Sequence, residues 1–202
     1  MTGTRKTKRI FEIMNTEELN ALKKQAYKTA VEHGFYEDVK SDAYYLGLVM
    51  SEAGEAINAD RKGRHADTKR FEEEPEKWAF DLSFRIYIKD SVEDEIADIV
   101  IRLLDFAGMK GYGLQFRDSP LYRVSAMRAC KRQGFVPTLF DLISPLGVSL
   151  KEYELELCCS AIIIALSGCF EEMTKSDKDL WWFVERKMRY NELRPMLNGK
   201  KY

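Results

Sequence analysis

Little in this sequence favours a soft-metal, redox or membrane role. Its 202 residues include four cysteines and only two histidines. Cys130, Cys158, Cys159 and Cys169 show no CxxC or Cys/His zinc spacing, and the Cys158 and Cys159 neighbours fall in an apolar helical segment, so they read as buried free thiols. Neither His33 nor His65 stands three residues after a glutamate, which removes the Glu-x-x-His pattern of a di-iron carboxylate bundle. Charge of one sign is also missing: 32 basic and 33 acidic residues leave a net charge of -1, too little for a bulk field that recruits a nucleic acid polymer or an anionic membrane. The longest apolar run, Ala161 to Leu166, is far below the roughly 20 residues that a membrane span needs. Residues 1–14 begin as a flexible basic arm, and Ile10 to Met14 is too short and interrupted for a signal h-region. These absences lead to the expectation of a cytoplasmic protein. With no repeat, low-complexity tract or Pro/Gly/Ser linker, residues 1–202 read as one domain.

What is present is helical patterning, and the class it implies is all-α. Asn15, followed by Glu17 and Glu18, caps a helix that runs to about His33 with Gly34 as its stop. Ser41-Asp42 opens a second helix on which Leu46, Val49, Met50, Ala53, Ala56 and Ile57 share one arc, closing at Arg61-Lys62-Gly63. Residues 64–90 lose the period and read as an irregular insertion, with Phe80 to Ile88 open between a short strand and irregular chain. Ser91, with Asp94 three residues on, caps a third helix striped by Val92, Ile96, Ile99, Val100, Leu103, Leu104 and Phe106, ended by Gly111 and Gly113. Further helical segments cover 120–132, 137–143, 150–173 and 179–193.

Two acidic pairs stand out against these stripes. Glu52 and Glu55, on the second helix, and Glu95 and Asp98, on the third, are each three residues apart, about 60° around the axis, so each pair projects from one face. Acids at this spacing are common on solvated faces. Here they sit at the margin of the apolar arc, where like-charge repulsion and desolvation both disfavour them unless a divalent cation compensates. With no thiolate or imidazole in the set, Mg²⁺ is the expected ion and Mn²⁺ an acceptable substitute. Gly54, inside the first pair, costs about 1 kcal/mol against Ala, a cost that close approach of a neighbouring helix or ligand would justify.

The arrangement Glu52-x-x-Glu55 followed by Glu95-x-x-Asp98 on paired helices resembles the MazG-like group of the all-α nucleoside triphosphate pyrophosphohydrolase superfamily. The resemblance covers roughly residues 17–110 and departs at Ser51, where an acid often precedes the first pair, and in the long connection from Glu55 to Glu95. It implies a helical bundle of MazG-like type with additional C-terminal helices, and Mg²⁺-dependent cleavage of an NTP or dNTP to the monophosphate and pyrophosphate. Glu52, Glu55, Glu95 and Asp98 would hold the metal, and Glu52 or Glu55 would take a proton from the attacking water. The final helix carries Lys187, Tyr190, Asn191 and Arg194 at i, i+3, i+4 and i+7. This Lys-x-x-Tyr-Asn-x-x-Arg is similar to a basic C-terminal helix of some MazG-like proteins that contributes to phosphate binding, although cations near a helix C-terminus also complement its dipole.

Arg102, one turn beyond Asp98, either pairs with the acids or reaches phosphate; Lys89 is a weaker candidate of the same kind, and Arg61, Lys62 and Arg64 read as ordinary last-turn cations. Tyr44, Tyr45, Trp78, Phe80, Trp181 and Trp182 supply flat surfaces for a nucleobase, most of them expected in the core. Two acidic helices need further helices to complete a bundle, supplied by the apolar segments after 145 or by a second subunit. The alternative function is a helical regulatory or interaction protein with a structural cation site and no catalysis.

Overall fold

The computed structural model describes residues 14–73, 79–115, 120–148 and 151–196. Those residues form α1 (Thr16–Glu32), α2 (Asp42–Arg61), α3 (Thr68–Glu73), α4 (Phe80–Tyr87), α5 (Val92–Lys110), α6 (Pro120–Gln133), α7 (Phe135–Ile143), a 3-10 turn (Ser144–Gly147), α8 (Glu152–Thr174) and α9 (Leu180–Glu192). No strand occurs among them, and the fold is all-α. Residues 1–13 and Trp78, to which the sequence reading assigned an arm and a candidate stacking ring, lie outside the described residues.

The long helices begin and end where local chemistry says they should. The Asn15 side chain accepts from the backbone N–H of Glu17 and Glu18, and Glu18 answers by accepting from Asn15 N, a reciprocal capping box for α1. Ser41, Ser91 and Asp179 cap α2, α5 and α9 through single side-chain bonds. Gly111 closes α5 in the left-handed region at φ 71°.

The centre of the molecule is α5, which packs against α1, α2, α8 and α9. Thirteen of its 19 residues are buried, so it is covered nearly all round rather than along one stripe. Glu93, Asp94, Glu95 and Asp105 are buried with it, and each needs a partner. Helix α8 lies against α6 on the far side. It is long and apolar enough to cross a membrane by length and composition, yet 56% of its most apolar stretch is buried inside this fold.

Residues 64–90 are more ordered than their pattern implies. Phe80 to Tyr87 is helical, neither strand nor irregular, and α3 precedes it. Helix α4 has no side-chain cap at Ala79, so the usual local signal is missing. Tertiary packing specifies it instead: Phe84 stacks on Tyr190 with centroids 4.6 Å apart, and Phe71 meets Phe80, Phe84 and Trp182 edge-on. The seventh helix starts at Phe135, with Pro137 still in its first turn, where a missing N–H leaves no helical bond unmade. The cysteines are free thiols, three buried and Cys158 half-buried.

Close helix contact does occur at a glycine, but not at Gly54. A Cβ on Gly54 would have no atom within 4 Å, whereas one on Gly108 would stand 2.5 Å from Tyr27 Cβ and 3.2 Å from Lys23 O, at the α1–α5 crossing. Gly108→Ala should therefore destabilise by about 1–3 kcal/mol through overpacking, and Gly54→Ala should stabilise by about 0.5–1 kcal/mol through helix propensity. Urea unfolding of both variants checks this; a stabilised Gly108→Ala would disprove the packing assignment.

Candidate metal centre

Packing of α2 on α5 brings the two acidic pairs together. Glu52, Glu55 and Glu95 each present a carboxylate oxygen such that the three oxygens lie within 4.8 Å of one another. Oxygens around Mg²⁺ at about 2.1 Å are themselves roughly 3–4 Å apart, so small side-chain adjustments close the shell. The donor set is oxygen only, which suits a hard cation. Asp98 lines the same cleft, of about 250 Å³, together with all three glutamates.

Asp98 is not free to join them as it stands. Lys187, expected to bind phosphate, is only 4% exposed, and its Nζ donates to Asp98 Oδ2 at 2.6 Å and Asp94 Oδ2 at 2.8 Å. Burial works against its charge, but Asp94 and Asp98 more than reverse that and hold the ammonium above its ordinary value. Its first role is thus to neutralise carboxylates. Arg102 behaves in the same way: its Nε donates to Glu52 Oε1 at 3.0 Å, and its guanidinium lies 5.9 Å from the Phe35 ring centroid.

The rest of the basic helix divides between cleft and core. Asn191 and Arg194 line the cleft with Lys187, as their i, i+4, i+7 spacing implies, whereas Tyr190 does not: its ring is buried in the stack on Phe84. Asn191 Oδ1 is buried and has no hydrogen-bond partner among the described residues. Arg194 is fixed at its backbone, where its carbonyl meets His33 Nε2 at 2.9 Å. Lys89 lines the cleft and pairs with Asp90. Arg64 bonds Lys89 O and Asp90 away from the cleft, and Arg61 and Lys62 are exposed at the end of α2.

Several features of the site are not encoded in residue spacing. Asp90, Asp94 and Glu95 form a second trio of oxygens within 4.8 Å, sharing Glu95 with the first. Asp94 was read as a cap partner of Ser91, and its N–H does bond Ser91 Oγ; its carboxylate, however, turns to Lys187 and to the N–H of Asp90, leaving Oδ1 buried and unbonded. The cleft aromatic is Phe35, whereas Tyr44, Tyr45, Phe80, Trp181 and Trp182 do not line it. Asp105 interrupts the apolar stripe of α5 between Leu104 and Phe106, a break legible in the sequence.

Burial, followed by the charges of Asp98 and Asp94, pushes the Glu95 carboxyl up to about 9. Burial and Asp98 also raise Glu52, against the pull of Arg102. The carboxylates repel one another in the absence of a bound cation. Comparison with family models, with curated proteins and with solved structures gave no match. The functional reading therefore rests on this geometry.

Two outcomes follow. In metal-free protein, Glu95 keeps a proton in the fold that the unfolded chain has lost, up to about pH 9, and Asp105, raised by burial, does so up to about 7. The folded state then carries more protons than the unfolded across that window, so stability falls as pH rises through it. Thermal unfolding in EDTA should give a lower Tm at about pH 8.5 than at about pH 5.5, and Mg²⁺ should recover the loss. A Tm rising with pH in EDTA contradicts the burial of these acids. Separately, Lys187→Met should lower unfolding free energy by about 3–5 kcal/mol, because it strands two carboxylates; unchanged urea stability would remove Lys187 as their counter-charge.

Proposed function

We propose that the protein is a Mg²⁺-dependent nucleoside triphosphate pyrophosphohydrolase that converts an NTP or dNTP to the monophosphate and pyrophosphate. The observation that carries the proposal is the convergence of Glu52, Glu55 and Glu95 oxygens within 4.8 Å at one end of a cleft flanked by Lys89, Asn191 and Arg194. This combination offers a hard cation its ligands and a polyphosphate its donors in one space.

Glu52, Glu55 and Glu95 would hold the metal, with Asp98 beside them. When bound, Mg²⁺ supplies positive charge for the phosphate oxygens and acidifies water. Arg102 fixes Glu52 by the 3.0 Å bond to Oε1, so that carboxylate serves as an oriented ligand. Glu55 is exposed at the cleft and takes no hydrogen bond or ion pair among the described residues, which makes it the better proton acceptor. Water oxygen bonds to the α-phosphorus as the bond from that phosphorus to the α,β-bridging oxygen breaks. The water's proton passes to a Glu55 carboxylate oxygen, and pyrophosphate leaves. Arg194, Lys89 and the Asn191 amide hold the departing phosphates through charge-assisted or neutral hydrogen bonds.

A panel of NTPs and dNTPs with Mg²⁺, read by pyrophosphate release, tests the proposal. Glu55→Gln and Glu95→Gln should each lower kcat by about 100-fold or more. Mg²⁺ binding without release from any nucleotide would favour a regulatory helical protein with a structural cation site. Full turnover by Glu55→Gln would remove Glu55 from the proton-accepting role.

A further inference from the structure

At the opposite end from the glutamates the cleft changes character. Its wall there is built from Ala26, Ala30, Phe35 and Ile101, small or apolar side chains that leave a flat space between α1 and α5. Two charged groups stand beside that wall, Arg102, whose guanidinium lies 5.9 Å from the Phe35 ring centroid, and Asp105. Asp105 is 9% exposed, lines the cleft and belongs to neither oxygen trio.

Asp105 is held by one oxygen only. Tyr36 donates its hydroxyl to Oδ1 at 2.7 Å, and Tyr36 is itself fixed by the edges and faces of Tyr27 and Tyr45, with centroids 5.2 and 5.4 Å away. Oδ2 has no hydrogen-bond partner among the described residues. Arg102 contributes attraction through space but spends its Nε on Glu52. A carboxyl held rigidly in an apolar wall, with one oxygen left open, suits an incoming donor. Along α5, Asp98 and Asp105 are seven residues apart, a rise of about 10 Å, comparable to the distance from an α-phosphate across a ribose to the far edge of its base.

Building on the proposed phosphate chemistry, we infer that the Ala26–Ala30–Phe35 end of the cleft receives the nucleobase and that Asp105 accepts a hydrogen bond from an exocyclic amino group on it, selecting amino bases over their keto counterparts. Phe35 supplies a face for the ring, and Ala26 and Ala30 keep the opposite wall low. Above about pH 7, where Asp105 has lost its proton and the comparison is to be made, a keto oxygen in the amino position would meet a carboxylate with no donor to offer, and both acceptors would be left unpaired. Asp105 is thus a specificity-determining residue, outside the metal-binding set.

Matched nucleotides test this directly, because dCTP with dUTP, and dATP with dITP, differ at the reading position by amino against keto. The wild-type protein should favour the amino member of at least one pair by about tenfold or more in kcat/KM. Asp105→Asn, whose amide can donate, should collapse or invert that ratio. A merely structural Asp105 would lower activity on both members alike, and an unchanged ratio in a variant of wild-type thermal stability overturns the inference. Binding of the α,β-methylene analogues of dCTP and dUTP, followed by calorimetry, separates it from the hydrolytic reading. Binding with amino preference but no turnover of natural nucleotides supports base selection and sinks hydrolysis. Turnover without base preference does the reverse, and neither binding nor turnover overturns both.

Discussion

The ion pair from Lys187 to Asp94 and Asp98 is the interaction on which the rest of the site depends. Helix α5 is the most enclosed element of the fold and also its most acidic buried one, a combination that desolvation opposes. The fold resolves the conflict by drawing positive or neutral donors from every side. Lys187 reaches in from α9, Arg102 turns from α5 to Glu52 on α2, and His65 with the N–H of Ala66 meets Glu93 at 2.9 Å. Tyr36 covers Asp105. Without the α9 ammonium, Asp94 and Asp98 would face each other in a low-dielectric interior, and packing of α9 on α5 would be unfavourable instead of fixing the cleft wall.

The same device explains why only three glutamates converge openly. Carboxylates that carry a protein counter-charge are structural partners first, and those without one could take an exogenous cation. Among the described residues Glu55 and Glu95 have no ion pair, and Glu52 retains one oxygen beyond its bond to Arg102. The second trio is different in kind, because Asp90 is paired with Lys89 and Asp94 with Lys187. Charge allocation, more than distance, distinguishes the two trios.

Much of this was legible along the chain because it is written in local chemistry. Asn15 with Glu18, Ser41, Ser91 and Gly111 mark helix ends through bonds to their own backbone, and the stripes on α2 and α5 place Glu52, Glu55, Glu95 and Asp98 toward a shared seam. Other features depend on which residue lies opposite, and no spacing rule encodes that. Lys187, Tyr190, Asn191 and Arg194 share a broad face, but only the structure separates the cleft side from the Phe84 side that takes Tyr190. Helix α4 has no cap and is held by aromatic rings distant in sequence. Gly54 and Gly108 are equally plain as glycines inside helices; only the crossing with Tyr27 decides which one matters.

Charge counting narrows what the cleft can accept. Six carboxylic residues line it, Glu52, Glu55, Asp90, Glu95, Asp98 and Asp105, against four cations, Lys89, Arg102, Lys187 and Arg194. A free triphosphate, bringing about four more negative charges, would enter a cleft whose cations are already matched by its own carboxylates. Under the proposed function, one divalent ion would offset only part of the sum, so a nucleotide arriving with its own cation, to join another at Glu52, Glu55 and Glu95, would be electrostatically favoured. An anion lacking a metal partner meets the opposite field, because the cations that could receive it are largely committed to carboxylates. Under the proposed function, a cleft whose cations are committed to its own carboxylates would favour phosphate already complexed to a metal over bare phosphate.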